Sequence, residues 1–326
     1  MKNDFLIHLA AKIRRNKVKW RVASAMLAGI ALLFAFQGFS SAEDDDDHNA
    51  TEISNCTDPA MINITQAGRY FLADDLKQCV TGVAINVSDV KLELRGHTIQ
   101  GVFGTTISVI SVDGGGAVLS NVEIAGPGTV TGGMNGITFK DVHSSRVHNL
   151  VVVGNQFDGI SINTTISTNA STAPTDDKSH DNEFYGNVVT DNNNGITMSG
   201  GTNDEYRDNV VTGNAFDGIQ VNGGNENRFI HNDLSGNFFN GLNLLNATDN
   251  VARRNTADAN SNFGIVVGTL GSRNIIEDNI ALGNFGSAGS TNNGPDLVDQ
   301  NGDCTHNSWG LKKLNSFNTS DPTCIK

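Results

Sequence analysis

Short apolar stretches in this chain alternate with glycine and asparagine, and the alternation is periodic. A glycine followed by isoleucine or leucine recurs at positions 136, 159, 195, 218, 241 and 264. The intervals between these glycines are 23, 36, 23, 23 and 23 residues. The long interval exceeds the others by 13 residues, and the excess falls in residues 163–182, which are rich in Ser, Thr and Asn. A fixed period of this kind predicts a repeat array with one inserted loop.

Each unit contains three short apolar pieces, separated by turn residues, in which alternate positions are apolar. A period of two predicts β-strands, and no piece is long enough for an amphipathic helix. Leucine-rich repeats have a similar length, but their leucine framework is missing. The pattern predicts an all-β parallel β-solenoid with three strands per coil and coils about 4.8 Å apart. The residues expected to point inward are Ile160, Ile162, Ile219, Val221, Leu242, Leu244, Ile265 and Val267.

Polar residues keep the same period. One column contains Asn149, Asn187, Asn209, Asn232, Asn255 and Asn279. A second contains Asn155, Asp191, Asn214, Asn237, Asn260 and Asn284. Asparagine tolerates left-handed backbone angles at tight turns, and stacked side-chain amides can hydrogen-bond along a column. We therefore interpret both columns as part of the scaffold. An apolar column lies three positions before the first, at Phe184, Tyr206, Phe229, Ala252 and Ile276.

The N-terminus has the pattern of an export signal. Residues 1–21 are basic, residues 22–36 are apolar, and Ser40 and Ala42 have the spacing that a signal peptidase reads. An uncleaved membrane anchor is the alternative, but the apolar run is short for a spanning helix of about 20 residues. The sequence thus predicts a signal peptide over residues 1–42 and a secreted or periplasmic protein, without membrane association after cleavage.

Four cysteines lie in pairs near the two ends of the exported part, and an even number in an exported chain predicts two disulfides. Three pairings are possible. Some eight coils, about 40 Å, separate the pairs, which favours Cys56–Cys79 and Cys304–Cys324. The two ends of a solenoid leave strand edges and core exposed, and these must be covered. We therefore expect an N-terminal cap over 56–80 and a C-terminal cap over 291–326, with the solenoid over 81–290 between them. An acidic disordered leader over 43–55 would precede the first cap. We expect a monomer.

Charge narrows the choice of partners. The chain has 22 Lys and Arg against 35 Asp and Glu, and residues 43–326 alone have 15 against 34. Such an excess of negative charge excludes binding to nucleic acid or to an anionic membrane surface. A polyanionic substrate would also be repelled unless cations bridged it.

The stretch LELRGHTIQG, residues 92–101, and the later Asn-x-x-x-Gly-Ile units resemble the right-handed parallel β-helix proteins of the pectin-lyase-like superfamily. The units are similar to those of carbohydrate-binding and sugar-hydrolase β-helices, mannuronan epimerases and NosD-type periplasmic proteins. The resemblance implies a right-handed coil and a substrate that lies along one sheet. It does not decide the chemistry, because one fold hosts several activities. The Asp-Pro-His triplet of mannuronan epimerases is absent from this sequence.

The sheet that contains the Gly-Ile strands is the expected site. Its outward positions are polar in five successive units and become apolar at Leu245, Phe263 and Val266. Hydroxyl and amide groups in such a strip suit the hydroxyls of a polysaccharide, whereas the simpler interpretation is a solvated strand face. The predicted substrate-binding residues are Lys140, Ser161, Asn163, Asn194, Thr197, Gln220, Asn222, Asn240 and Asn243.

Two aspartates, Asp158 and Asp217, are the predicted catalytic residues. They occupy one column two coils apart, about 9.6 Å by the strand repeat, at the upper edge of the roughly 6.5–9.5 Å between the carboxyls of inverting glycosidases. Neither acid has a sequence neighbour that would raise its pKa, and turn chemistry in the repeated Phe-Asp-Gly-Ile is the alternative. A calcium-assisted lyase is a further possibility, with Lys140 the one basic group on the strip.

The other clusters of charged and titratable residues give weaker indications of function. Arg207, Arg228, Arg253 and Arg254 interleave with Asp204, Glu205, Asp208 and Asp233, which predicts a surface ladder of ion pairs on another sheet. His143, His148, His180 and His231 share no column, so no metal cluster is predicted. Two non-enzymatic functions stay open beside polysaccharide binding or modification. One is a solenoid for surface display or adhesion, and the other is a NosD-like periplasmic maturation factor.

Overall fold

The computed structural model describes residues 49–56, 62–165, 179–285, 295–302, 304–310 and 312–325. In these ranges the regular elements are all β-strands. Among these described residues, no helix is long and apolar enough to cross a membrane. The predicted signal peptide, the acidic run of the leader and most of the loop at 163–182 lie outside the described residues.

The strands are short, between two and six residues each. The first group is β1 (Ala50–Ile53), β2 (Ile62–Ile64), β3 (Gly68–Leu72), β4 (Leu76–Cys79), β5 (Val83–Ile85), β6 (Val90–Glu93), β7 (Thr98–Gly101), β8 (Ser108–Asp113), β9 (Leu119–Ser120), β10 (Val122–Ala125) and β11 (Thr129–Thr131). The second group is β12 (Asn135–Lys140), β13 (Val142–His143), β14 (Arg146–His148), β15 (Val151–Val153), β16 (Asp158–Asn163), β17 (Glu183–Tyr185), β18 (Val188–Thr190), β19 (Asn194–Ser199), β20 (Glu205–Arg207) and β21 (Val210–Thr212). The third group is β22 (Ile219–Asn222), β23 (Arg228–Ile230), β24 (Leu242–Leu245), β25 (Val251–Arg253), β26 (Ile265–Val267), β27 (Ile275–Glu277), β28 (Ile280–Ala281), β29 (Leu297–Asp299), β30 (Ser308–Trp309), β31 (Ser316–Phe317) and β32 (Ser320–Asp321).

The strands form three long parallel stacks, as predicted. Sheet 1 has eleven strands within the described ranges, in the order β1-β3-β6-β10-β14-β17-β20-β23-β25-β27-β30. The Gly-Ile sheet has eleven there too, in the order β2-β5-β8-β12-β16-β19-β22-β24-β26-β29-β32. Sheet 3 has six, in the order β4-β7-β11-β15-β18-β21, and single bridges continue it to the β28–β31 pair. Successive coils thus add strands to sheet 1 and to the Gly-Ile sheet, and a strand or a single bridge to sheet 3, so the fold is an all-β parallel solenoid.

The interior is a column of apolar side chains from all three stacks. The eight residues predicted to point inward are all buried. In sheet 1, Phe184, Tyr206 and Phe229 stack face to face, with ring centroids 4.9 and 5.1 Å apart. This confirms the apolar column of the sequence. Because like residues stack on like, successive coils bury one continuous core.

Three asparagine ladders run inside the corners of the solenoid. In each step a backbone N–H donates to the side-chain oxygen of the next coil, and in most steps the side-chain amide donates to it as well. One ladder is Asn187–Asn209–Asn232–Asn255–Asn279–Asn315. Another is Asn155–Asn192–Asn214–Asn237–Asn260–Asn284–Asp296. The third, not foreseen, is Asn182–Asp204–Asn227–Asn250–Asn274–Asn307.

The ladders correct the predicted columns at two places. Leu150 occupies the position assigned to Asn149, since the Leu150 N–H donates to Asn187 Oδ1 at 3.1 Å. Likewise Asn192, and not Asp191, accepts from the Asn155 N–H at 3.0 Å. Asn149 and Asp191 instead have φ of 57° and 55°. The left-handed angles therefore belong to the residue before most ladder positions, and the ladder asparagines contribute their side-chain amides.

Disulfides lie near both ends with the predicted pairing. Cys56 is bonded to Cys79, and Cys304 to Cys324. The domain boundaries stay a prediction. Strand β1 lies within the predicted leader and pairs with β3, and β29 to β32 lie within the predicted C-terminal cap and extend the stacks. Strand pairing extends to both ends because an uncovered sheet edge leaves backbone groups unpaired.

Candidate functional site

The outward positions of the Gly-Ile sheet form three columns, as predicted. The strands pair in register through β12, β16, β19, β22 and β24. The middle column is Thr138, Ser161, Thr197, Gln220 and Asn243. The outer column is Lys140, Asn163, Ser199 and Asn222, followed by Leu245. The turn column is Asn135, Asp158, Asn194, Asp217 and Asn240; the first three begin their strands, and the last two lie two residues before theirs. The structure thus brings every predicted binding residue onto one face.

The turn column is itself a hydrogen-bond ladder, which the sequence did not reveal. The Asp158 N–H donates to Asn135 Oδ1 at 3.2 Å, and the Asp217 N–H donates to Asn194 Oδ1 at 3.4 Å. The Asn240 N–H continues the series to Asp217 Oδ1 at 3.0 Å. These bonds run in the opposite direction to those of the interior ladders, since each N–H donates toward the preceding coil. The column therefore fixes the turn that leads into each Gly-Ile strand.

Asp217 is buried, with 1% of its surface exposed. Its Oδ1 accepts from the Asn240 side-chain amide at 2.8 Å in addition to the backbone N–H. Its Oδ2 accepts from Asn243 Nδ2 at 2.8 Å and from Gln220 Nε2 at 3.2 Å. Burial raises the pKa of Asp217, while the hydrogen bonds from Asn243, Asn240 and Gln220 oppose that rise. The expectation that nothing raises its pKa was wrong, because the burial comes from neighbouring coils.

Asp158 is more accessible and makes fewer contacts. Its Oδ2 accepts from the Thr197 hydroxyl at 2.9 Å, and its Oδ1 accepts from Asn194 Nδ2 at 3.1 Å. Asn194 also accepts from the Asp217 N–H, so it links the two acids across the intervening coil. The two-coil spacing places their backbones about 9.6 Å apart, by the usual strand separation.

Several groups of the strip are open to solvent. Ser199 and Asn222 are exposed, and Gln220 and Asn163 are partly exposed. Lys140 forms an ion pair with Asp113 on the preceding coil, at 3.1 Å. By contrast Ser161, Asn240 and Asn243 are buried, so their contribution to the surface is small. The polar groups that a ligand can reach thus lie mainly in the outer column and around Asp158.

Exposed phenylalanines border the turn column, and sequence reasoning missed them. Phe157 and Phe216 directly precede Asp158 and Asp217, and Phe239 directly precedes Asn240. Their exposed fractions are 42%, 52% and 38%, and the neighbouring Phe238 reaches 63%. The signal was present in the sequence as a phenylalanine at a constant offset from the Gly-aliphatic pair. We call these four residues the phenylalanine ridge.

The ion-pair ladder lies on sheet 1, as predicted. Glu205 binds Arg207 at 3.0 Å and Arg228 at 3.4 Å. Asp204 does not belong to this surface, because it is a buried member of an interior ladder. Toward the C-terminus, a cavity of about 160 Å³ is lined by Arg253, Arg254, Glu277, Lys312 and Lys313.

Two histidines share a column, contrary to the prediction. His143 and His180 pair on adjacent coils, and their rings stack with centroids 4.7 Å apart. The pKa of His143 is lowered by burial and then by the nearby His180. The two residues are 37 positions apart in the sequence and still pair on adjacent coils. Within the residues that the structure describes, no group of three or more His, Cys, Asp or Glu side chains could hold a metal ion.

Comparisons with known proteins concern the fold. Tailspike protein 2 of bacteriophage CBA120, in its enzymatically active domain, superposes with a TM-score of 0.55 at 13% identity, over 84% of this chain and 39% of that one. The Dettilon tailspike protein gives 0.54 at 15%, over 82% and 61%. The A-module of the mannuronan C-5 epimerase AlgE4 from Azotobacter vinelandii gives 0.53 at 17%, over 83% and 85%.

This chain therefore spans less than two thirds of either tailspike. At these identities the likeness establishes a shared fold. Among curated proteins, none matches the sequence. The family model described as the right handed beta helix region matches residues 48–234 and 165–308. Together these matches span most of the 326 residues, and they agree with the parallel stacks. The chain therefore belongs to the right-handed β-helix family.

Proposed function

We propose that this protein binds a polysaccharide along the outer face of the Gly-Ile sheet, with the glycan parallel to the solenoid axis. The observation that carries the proposal is the register of polar groups. Hydroxyls and amides recur in the middle column through five coils and in the outer column at Asn163, Ser199 and Asn222. A row of donors and acceptors repeating about every 4.8 Å can serve successive units of a polymer. One structural neighbour is a mannuronan C-5 epimerase, which supports a polysaccharide as the ligand class.

The charge of the protein favours a neutral glycan. The chain has a net charge of −13, and Lys140, the one cation of the strip, is paired with Asp113. A polyuronate would approach two further carboxylates at Asp158 and Asp217 without compensating cations from this face. We therefore expect neutral oligosaccharides to bind more tightly, and calcium to be required only for anionic ones. An exported location, secreted or periplasmic, fits this function and the two disulfides.

Hydrolysis of the bound glycan is a second candidate. In an inverting mechanism Asp158 would take a proton from the attacking water, while protonated Asp217 would give its proton to the leaving oxygen. The raised pKa of Asp217 favours the acid role. However, four hydrogen bonds to its carboxylate favour the ionised form, and its burial restricts access to substrate. Binding is for this reason the primary proposal.

A glycan panel tests both proposals. The exported form is assayed for retention on neutral and anionic polysaccharides and for release of reducing ends, with and without calcium. Wild type is compared with Asp158→Asn and Asp217→Asn, and with Asp208→Asn as a control carboxylate on a different side of the solenoid. If the acids are catalytic, both variants at the site should lose reducing-end release by at least 100-fold, while retention and the control variant stay unchanged.

Two results would count against these proposals. Equal turnover in wild type and both site variants would end the two-carboxylate mechanism and leave binding intact. A wild-type protein that retains none of the polysaccharides, with or without calcium, would contradict the binding proposal itself. In that case the surface-display and maturation-factor alternatives become the next to examine.

A further inference from the structure

The phenylalanine ridge is an unusual surface for a scaffold turn. Phe157, Phe216 and Phe239 are between 38% and 52% exposed, although each follows a buried ladder asparagine by only two residues. Backbone hydrogen bonds hold them at equivalent positions: the Asn193 N–H donates to Phe157 O, and the Phe239 N–H donates to Phe216 O at 3.0 Å. Exposed aromatic groups that repeat along one edge mark an interaction surface.

The ridge is narrow and is bordered by polar groups on the side that faces the Gly-Ile sheet. It is one or two residues wide, and Asn193 interrupts it between Phe157 and Phe216. A stable interface between protein copies needs about 800 Å² from each partner, which a single file of rings does not supply. Each of Phe157, Phe216 and Phe239 is followed directly by a turn-column residue, of which Asp158 is partly exposed, and Gln220 of the middle column is partly exposed as well. The surface thus combines an aromatic edge with a hydrogen-bonding floor.

We propose that the phenylalanine ridge is a stacking platform for the pyranose rings of a neutral glycan. This inference rests on the proposed function and specifies the ligand class for the same face. A pyranose has an apolar face of C–H groups and a polar rim of hydroxyls. The C–H face packs on the electron-rich faces of Phe216 and Phe239, while the rim hydroxyls are directed toward the turn column and the middle column. Few precisely placed polar groups then fix the orientation of an otherwise apolar contact.

The position of the ridge also predicts where binding is strongest. Phe216, Phe238 and Phe239 belong to two adjacent coils, whereas Phe157 lies two coils away from Phe216. Two neighbouring coils therefore carry three of the four rings. We expect the main subsite beside Asp217 and Asn240, and a weaker one at Phe157.

The test measures binding of neutral gluco-, manno- and galacto-oligosaccharides by isothermal titration calorimetry, with an oligouronate for comparison. Phe216→Ala and Phe239→Ala are each expected to raise Kd for the best neutral ligand about ten-fold. Phe216→Tyr keeps the ring and should bind like wild type, whereas Phe216→Leu keeps only apolar volume and should resemble Phe216→Ala. Leu314→Ala is the matched control, because Leu314 is 67% exposed on another part of the solenoid.

The outcomes separate this inference from the proposed function. Wild type that binds a neutral glycan with Kd unchanged in Phe216→Ala and Phe239→Ala would overturn the platform and leave the polysaccharide proposal standing. Phe216→Leu that binds as well as Phe216→Tyr would also overturn it. If the wild-type protein binds no glycan, both the platform and the polysaccharide-binding proposal are contradicted. Light scattering on the same samples checks oligomeric state, and dissociation of an oligomer in the alanine variants would assign the ridge to contact between copies.

Discussion

At the scale of single residues, the side chains of the ladder asparagines hydrogen-bond to buried backbone groups, as the backbone does for itself in a helix. Asn232 illustrates the arrangement: its side-chain amide donates to Asn255 Oδ1 and to the Tyr206 carbonyl, at 2.9 Å each. Its own Oδ1 accepts from the backbone and the side chain of Asn209. The residue is buried, so water cannot replace these partners. One asparagine side chain thus satisfies two backbone groups of the preceding coil and also bonds to the side chain of the next coil.

Replacing Asn232 with alanine should therefore be costly. The change leaves the buried Asn209 N–H and the Tyr206 carbonyl without a side-chain partner, which costs about 1–3 kcal/mol for each unsatisfied group. We expect the free energy of unfolding to fall by at least about 2 kcal/mol, measured by urea denaturation. Asn222→Ala is the control, because Asn222 is exposed on the strand β22. A loss in Asn232→Ala no greater than in the control would show that the ladder adds little stability.

At the scale of one element, the glycine of each Gly-Ile pair is required by space. A Cβ on Gly195 would lie 2.2 Å from Val211 Cγ1 and 2.5 Å from the Gly218 carbonyl oxygen. The φ angle of Gly195 is ordinary, so backbone freedom is not the reason for glycine here. The strand start of one coil instead approaches the backbone of the next too closely for any side chain. The repeated glycine is therefore a consequence of coil stacking.

Gly195→Ala should destabilise the fold, because both contacts come from well-packed groups of the next coil. Overpacking in a tight interior costs about 1–3 kcal/mol, so we expect the free energy of unfolding to fall by about that amount and the urea midpoint to be lower. Ser199→Ala at the exposed end of the same strand should change stability by less than about 0.5 kcal/mol. Equal midpoints for Gly195→Ala and Ser199→Ala would show that the turn shifts to accept a Cβ.

At the scale of the whole molecule, stability is distributed along an axis. Each coil contacts only its neighbours through parallel strand pairs, from β1–β3 at one end to β29–β32 at the other. In such a chain the terminal coils have one neighbour each and are the first to open. The disulfides lie at these places: Cys56–Cys79 in the first coils and Cys304–Cys324 in the last.

Removing the C-terminal disulfide should loosen only its own end. For Cys304→Ser with Cys324→Ser we expect loss of hydrogen-exchange protection in β29 to β32, with protection kept in β16 and β19. The local destabilisation should be about 2–4 kcal/mol, as for other loops closed by a disulfide. The reciprocal pair of variants at Cys56 and Cys79 serves as the control for the other end. Uniform loss of protection along the chain would contradict the nearest-neighbour description.

The candidate site was predicted in part. The polar columns beside Ser161, Thr197 and Gln220 followed from alternation, because the period of a strand decides which face a side chain takes. The burial of Asp217 did not follow, since it depends on Asn240 and Asn243 from the next coil. Catalysis by Asp158 and Asp217 stays a prediction.

The sequence by itself determined the period, the parallel stacking, the inward residues and the pairing of the four cysteines. These are properties of spacing, and stacking of like units converts spacing directly into structure. Only the tertiary structure decided which single residue takes a given position. The spacing between the ladder residue and the glycine of the Gly-Ile pair is one residue shorter at Asn192 than at Asn155 or Asn214, so Asn192 and not Asp191 takes the ladder position. The tertiary structure also decided which polar groups are buried and that the phenylalanines form a ridge. The exposure of a side chain depends on side chains from adjacent coils and not on the sequence pattern within one coil.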